Sequence, residues 1–72
     1  MTPYENLANA IVLSAVKDYR AALKRLSHHS DNEFARGEVD SLERFFRSGW
    51  YSVLTDVDGE FLIQKLREEV DF

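Results

Sequence analysis

Apolar residues recur at helical spacing along most of the chain. The clearest series lies in the first third, has spacings of 4, 3, 4 and 3, and consists of Val12, Val16, Tyr19, Leu23 and Leu26. Such spacing places the side chains on one face of an α-helix. Thr2-Pro3-Tyr4-Glu5 forms a capping box with proline at the first helical position, so we expect this helix to run from residue 3 to about residue 27.

The N-terminal half of this first helix is apolar on more than one side. Leu7, Ile11 and Leu13 lie away from the main series. A helix with this character is usually buried on several sides, so either two other helices or a second copy of the chain should cover it. At about 1.5 Å per residue the helix is about 37 Å long, whereas a compact domain of this size is only about 30 Å across. The helix should therefore overhang, or the bundle should be elongated.

A polar segment, 27–32, separates the first helix from a second. Ser30-Asp31-Asn32-Glu33 has the pattern of another capping box. The apolar residues that follow have spacings of 4, 3 and 4 and are Ala35, Val39, Leu42 and Phe46. They predict a helix over about 31–47.

Two further helices are predicted after residue 47. Ser48 can cap a short helix near 49–54 that carries Trp50, Val53 and Leu54; we prefer this to a strand, which would have no partner in the chain. Thr55 to Asp58 can cap a last helix, about 57–70, with Leu62, Ile63, Leu66 and Val70. The fold class is thus all-α: a small helical bundle of three main helices (about 3–27, 31–47 and 57–70) plus a short helix near 49–54, in one domain spanning 1–72.

Composition narrows the classes of protein to consider. Hydrophobic residues make up 44% of the 72 residues, which is too high for a disordered tail. The chain has no Cys, so a disulfide framework and a thiolate metal site are excluded. The N-terminus has neither the basic start nor the unbroken apolar segment of a secretory signal, and no apolar run would span a bilayer. We therefore expect a cytoplasmic protein that has no membrane partner.

The net charge of -4 is unevenly distributed. Residues 1–29 carry four bases and two acids, net +2, whereas residues 56–72 carry two bases and six acids, net -4. Our first interpretation is that the two segments pack near each other or complement helix dipoles. The alternative is a basic face that contacts nucleic acid, with Lys17, Arg20, Lys24 and Arg25 as the candidate residues. The acidic balance of the whole chain argues against non-specific coating of nucleic acid.

No catalytic, metal-binding or cofactor-binding set is predicted. Placing Gly59 at the sixth position of a calcium loop puts Leu54 at the first position and Lys65 at the twelfth, which excludes the standard EF-hand. The adjacent His28 and His29 lack the i, i+4 spacing usual for metal-binding pairs on helices. The chain also has no GxSxG or phosphate-binding loop, so we expect a protein that is not an enzyme.

The segment 45–51 is the richest in aromatic residues. Phe46 and Trp50 fit the core faces of their helices, but Phe45 and Tyr51 cannot point in the same direction as these two. The segment is therefore either core or a partner-binding surface. For the second case the candidate residues are Phe45, Trp50 and Tyr51, because Trp and Tyr are common at binding hot spots.

The same segment extends into a longer motif. Phe-Phe-Arg-Ser-Gly-Trp-Tyr-Ser-Val-Leu-Thr-Asp-Val-Asp-Gly-Glu, residues 45–60, is similar to a motif in small uncharacterised proteins of phages and integrated mobile elements in low-GC Gram-positive bacteria (Firmicutes). The stretch 10–20 of the first helix resembles theirs too. The resemblance implies a bacterial or phage cytosol and an accessory role, and it transfers no functional residue.

Three functions are consistent with these features. The first is a small non-catalytic helical protein, without cofactor, that binds another protein as an accessory or regulatory factor of a phage or mobile element. The second is a nucleic-acid-binding regulator that uses the basic face of the first helix. The third is a self-associating structural protein, in which the partner is a second copy of the chain.

Overall fold

The regular structure of the chain is entirely helical over residues 2–70, the part that the computed structural model describes. The helices are α1 (Pro3–His28), α2 (Glu33–Phe46), α3 (Gly49–Leu54) and α4 (Gly59–Val70). The predicted all-α bundle of three main helices and a short one is confirmed.

Two helices begin where their caps were predicted. At α1 the Thr2 hydroxyl accepts a hydrogen bond from the Glu5 amide at 3.2 Å, and the Glu5 carboxylate accepts one from the Thr2 amide at 3.3 Å. At α3 the Ser48 hydroxyl accepts from the Tyr51 amide at 3.2 Å. In both cases the side chain satisfies an amide that has no partner within its helix.

The starts of the other two helices differ from the prediction. The capping box expected at Ser30 is wrong: Asn32 is the cap of α2, and its side-chain oxygen accepts from the Ala35 amide at 3.0 Å. The start of α4 is Gly59 rather than about residue 57, and the Asp58 carboxylate accepts from the Phe61 amide at 3.1 Å. Each segment contains several cap-forming residues in succession, and the packing of the helix selects among them.

The core lies against the C-terminal two-thirds of α1. The predicted series from Val16 to Leu26 is buried, and Tyr19 is fully buried. The Tyr19 ring meets the ring of Phe46 on α2 edge to face, with centroids 5.4 Å apart. Tyr51 of α3 packs on Phe46 in the same way at 5.7 Å. Ile63 and Leu66 of α4 complete this core.

The molecule is elongated along α1, as predicted. Its principal dimensions are 42 × 19 × 19 Å, and 26 helical residues at about 1.5 Å each have nearly the same length. The first buried residue of α1 is Val16. Of the two predicted ways to cover the N-terminal half of α1, the other helices of the chain cover it only in part: Val12 and Ala15 pack against the core, whereas Leu7 and Leu13 are exposed.

Gly59 permits a close approach between the start of α4 and the end of α2. A methyl group at this position would fall inside van der Waals contact of the Phe46 carbonyl oxygen, at the end of α2. Backbone atoms cannot give way as a flexible side chain can. We therefore expect Gly59→Ala to lower the free energy of unfolding by about 1–3 kcal/mol, measured by urea denaturation.

Gly37 provides the matched control. It lies inside α2, and a methyl group there meets no atom within 4 Å. Because alanine favours helix, Gly37→Ala should raise the free energy of unfolding by up to about 1 kcal/mol. Equal effects of the two substitutions would contradict the packing of α4 on the Phe46 carbonyl.

Candidate functional site

The aromatic segment divides between core and surface where α2 meets α3. Tyr51 is only 2% exposed, whereas Trp50, its neighbour in the chain, is 59% exposed. The half-buried ring of Phe45 lies against both, with centroids 5.7 Å from Trp50 and 5.8 Å from Tyr51. Both contacts are edge to face, a favourable geometry for aromatic pairs. Phe45 therefore packs against the exposed indole of Trp50 on the side that faces the core.

Two expectations about this segment are corrected. Trp50 was expected in the core and lies outside it, and Tyr51 was a candidate for partner binding and is buried. The start of α3 at Ser48 was predicted, but the spacing of apolar residues in a helix of only six residues does not show which of its faces meets the core. Successive residues of a helix point about 100° apart, so a change of one residue in register exchanges the buried side chain for the exposed one.

Trp50 has an apolar neighbour on its own helix face. Val53 follows it by three residues and is 76% exposed, and residues at this spacing are adjacent on a helix surface. We call Trp50 and Val53, with Phe45 beneath, the α3 surface. The spacing of 3 between Trp50 and Val53 was visible in the sequence, but it was assigned to the core.

Two of the four candidate nucleic-acid-binding residues have acidic partners in the bundle. Arg20 forms a salt bridge with Glu69 of α4 at 3.0 Å, and Arg25 forms one with Glu38 of α2 at 3.1 Å. Lys17 and Lys24 are exposed. The Arg20 pair shows that the basic first segment and the acidic last segment meet, so part of the positive charge on α1 is compensated within the chain.

A cluster of polar side chains joins α1, α2 and α4. Glu43, whose side chain is 8% exposed, accepts hydrogen bonds from the Tyr19 hydroxyl at 2.5 Å and from Arg67 Nη2 at 2.5 Å and Nε at 3.1 Å. Its second oxygen lies 3.6 Å from Arg47, which also pairs with Glu60. This cluster was not predicted from the sequence. Its one visible signal was Glu43 between the apolar positions Leu42 and Phe46.

The protonation of the cluster follows from its contacts. Burial, and then the hydrogen bond to Glu43, raise the pKa of Tyr19 to about 12. The hydrogen bond to Glu43 also raises the pKa of Arg67, so this guanidinium stays charged. A neutral phenol and a cation thus share one carboxylate, and the arrangement holds three helices together.

A cleft of about 530 Å³ lies between the end of α2, α3 and the start of α4. It is lined by hydroxyl groups and acids, among them Ser52, Thr55, Asp56 and Asp58, and by Tyr51. The Tyr51 hydroxyl is buried and has no hydrogen-bond partner among residues 2–70. Burial, with a smaller contribution from Asp58, raises the pKa of this phenol.

The described residues contain neither a metal-binding cluster nor a membrane-spanning helix. Between residues 2 and 70, no group of three or more His, Asp or Glu side chains is arranged to hold a metal ion. None of the four helices in that range has both the length and the apolarity that a membrane crossing requires.

Comparisons of the chain with protein families, with curated proteins and with solved structures found no match.

The two buried tyrosines allow a direct test of the polar cluster. Tyr19→Phe removes a donor from the buried Glu43 carboxylate, so we expect the free energy of unfolding to fall by about 1–3 kcal/mol. Tyr51→Phe removes a hydroxyl that is buried without a partner, so the free energy should stay constant or rise. Urea denaturation measures both. A larger loss for Tyr51→Phe than for Tyr19→Phe would contradict the hydrogen bonding described.

Tyr19 also predicts how stability depends on pH. Its folded pKa of about 12 exceeds the ordinary tyrosine pKa of 10.0, so folding favours the protonated phenol. The contribution of the protonated Tyr19 phenol to the free energy of unfolding is complete below about pH 10. It is lost as the pH rises to about 12, which lowers the free energy of unfolding by about 2 kcal/mol. We expect the free energy of unfolding to fall more steeply over this range in the wild type than in Tyr19→Phe. Parallel curves for the two proteins would show that the Tyr19 pKa is not raised.

Proposed function

We propose that this protein is non-catalytic and acts by binding another protein through the α3 surface. The observation that supports the proposal is the position of Trp50. The one tryptophan of the chain is largely exposed, although the core beside it contains smaller aromatic rings. An apolar side chain of this size stabilises a protein most when it is buried, and on this surface a partner would bury it.

The α3 surface has the properties of a binding hot spot. Trp is among the residue types most enriched at such sites. The ring rests on Phe45, and α3 is capped at Ser48, so the indole is held in place before a partner arrives. A group that is already ordered loses less conformational entropy on binding. Val53 enlarges the apolar area next to it.

The chemistry of the surface defines the partner. Trp50 and Val53 are neutral and apolar, and they lie on a convex helix of six residues. A suitable partner therefore has an apolar groove or pocket that accepts an indole ring, with a polar rim around it.

The biological setting is proposed from the resemblance of residues 10–20 and 45–60 to phage and mobile-element proteins of Firmicutes. In that setting the protein is an accessory or regulatory factor that acts in the bacterial cytoplasm. This role consists of binding and requires no cofactor.

The test is quantitative capture of partners from a Firmicutes lysate with the wild type and three variants of the protein. We expect Trp50→Ala to reduce recovery of the specific partner at least about tenfold, because loss of a hot-spot side chain costs about 2 kcal/mol or more. Val53→Glu should have a similar effect without removing any contact with Phe45. Recovery is measured by mass spectrometry against the wild type.

Phe61→Ala is the matched control. Phe61 is another exposed aromatic residue, on α4, where its ring lies 5.5 Å from the ammonium group of Lys65. The Phe61→Ala substitution should leave recovery of the partner unchanged. If all variants recover the same proteins equally, or if Phe61→Ala reduces recovery as much as Trp50→Ala, the α3 surface is not the binding site.

A further inference from the structure

The N-terminal end of α1 extends beyond the rest of the bundle. None of the apolar residues in the segment 3–11 packs against the core, whereas Val12 and Ala15 do. We call residues 3–11 the α1 extension. At about 1.5 Å per residue it is about 14 Å long. It accounts for the radius of gyration of 12.8 Å, which exceeds the value of about 11 Å expected for a compact chain of this length.

The extension has one distinctly apolar face. Tyr4, Leu7 and Ile11 follow one another at spacings of 3 and 4, so they lie on the same side of the helix. No charged residue occurs from Asn6 to Val16. Glu5, the only charged residue of the extension, points to the opposite side from Leu7, because two residues correspond to about 200° of rotation.

The exposed area of the chain is larger than a compact monomer requires. A folded protein of 8.4 kDa has an accessible surface of about 4,600 Å². The surface of this chain is 5106 Å², about 500 Å² more. If two copies each buried only this excess, the contact would cover about 1,000 Å² in total, which is the lower limit for a specific interface.

We infer that a second copy of this chain covers the α1 extension, and that the two extensions pack antiparallel about a two-fold axis near Leu7. In such an interface the same surface is used on both copies, so the face of Tyr4, Leu7 and Ile11 meets its own equivalent. This inference concerns a different surface from α3 and does not depend on the proposed function.

The distribution of charge selects the antiparallel arrangement. Each copy has a net charge of -4, and the segment 56–72 carries six of its acids. Parallel packing would place the two acidic segments side by side. Antiparallel packing places the two bundles at opposite ends of the dimer and leaves the nearly uncharged extensions between them. It also aligns the two helix dipoles in opposite directions, which is favourable.

Leu7 and Leu13 form a matched pair for the test. Both are on α1 and equally exposed, at 62% and 66%. Six residues correspond to about 600° of rotation, so Leu13 lies about 120° from Leu7 and faces away from the apolar side of the extension. Neither side chain is buried, so glutamate at either position should leave the bundle folded; circular dichroism verifies this.

Sedimentation equilibrium over a concentration series measures the association of both variants and the wild type. We expect the wild type and Leu13→Glu to approach twice the monomer mass of 8.4 kDa. Leu7→Glu should raise the dimer dissociation constant at least about tenfold, since the substitution occurs on both copies. A wild type that stays monomeric at all concentrations overturns the inference, as does an equal effect of the two substitutions.

A second measurement tests the position of the axis. The chain has no Cys, so a single introduced cysteine reacts without competition. In the antiparallel dimer Leu7→Cys brings two thiols together near the axis, and mild oxidation should join the copies covalently. Leu13→Cys should remain uncrosslinked. Equal crosslinking at the two positions, or none at residue 7, would overturn the proposed packing.

Discussion

The structure depends on one buried carboxylate, that of Glu43, and on the groups that neutralise it. Tyr19 of α1 and Arg67 of α4 both donate to Glu43 of α2. Without the Arg67 cation the buried carboxylate would be a charge without compensation, which costs several kcal/mol, so the three helices are constrained to meet at this point. Apolar contacts are not directional and a core of this size has few of them. The cluster therefore specifies the register in which α4 lies against α1 and α2.

The position of this cluster determines which parts of the chain are left outside. Tyr19 lies beyond the middle of α1, and the bundle is built around it. α2 leads away from the cluster to the loop at one end, and α3 covers the core at the other end. The apolar residues of the segment 3–11 are not among those that form this core or pack against it, although Ile11 is half-buried.

Features that depend on neighbours in the chain were predictable, and those that depend on distant residues were not. The Thr2–Glu5 capping box and the burial of Tyr19 and Leu23 follow from local spacing. The polar cluster joins side chains that are separated by 24 and by 48 positions in the sequence, and no spacing rule connects such distant residues. Trp50 was assigned to the core in place of Tyr51 because adjacent residues point only about 100° apart on a helix, and the sequence does not show which of the two faces the core. Packing makes that choice.

The capping box of α1 connects local sequence with association. It lies fourteen residues before Val16, the first buried residue, so it stabilises a helix start that the core does not need. A helical segment as short as the extension is marginal on its own in water, and it gains most of its stability when an apolar face is packed. The extension has the cap and the apolar face, but within its own chain it lacks the packing. A second extension, antiparallel to the first, supplies an equivalent apolar face. The two bundles, each held together by its own Glu43, are then joined through their α1 extensions.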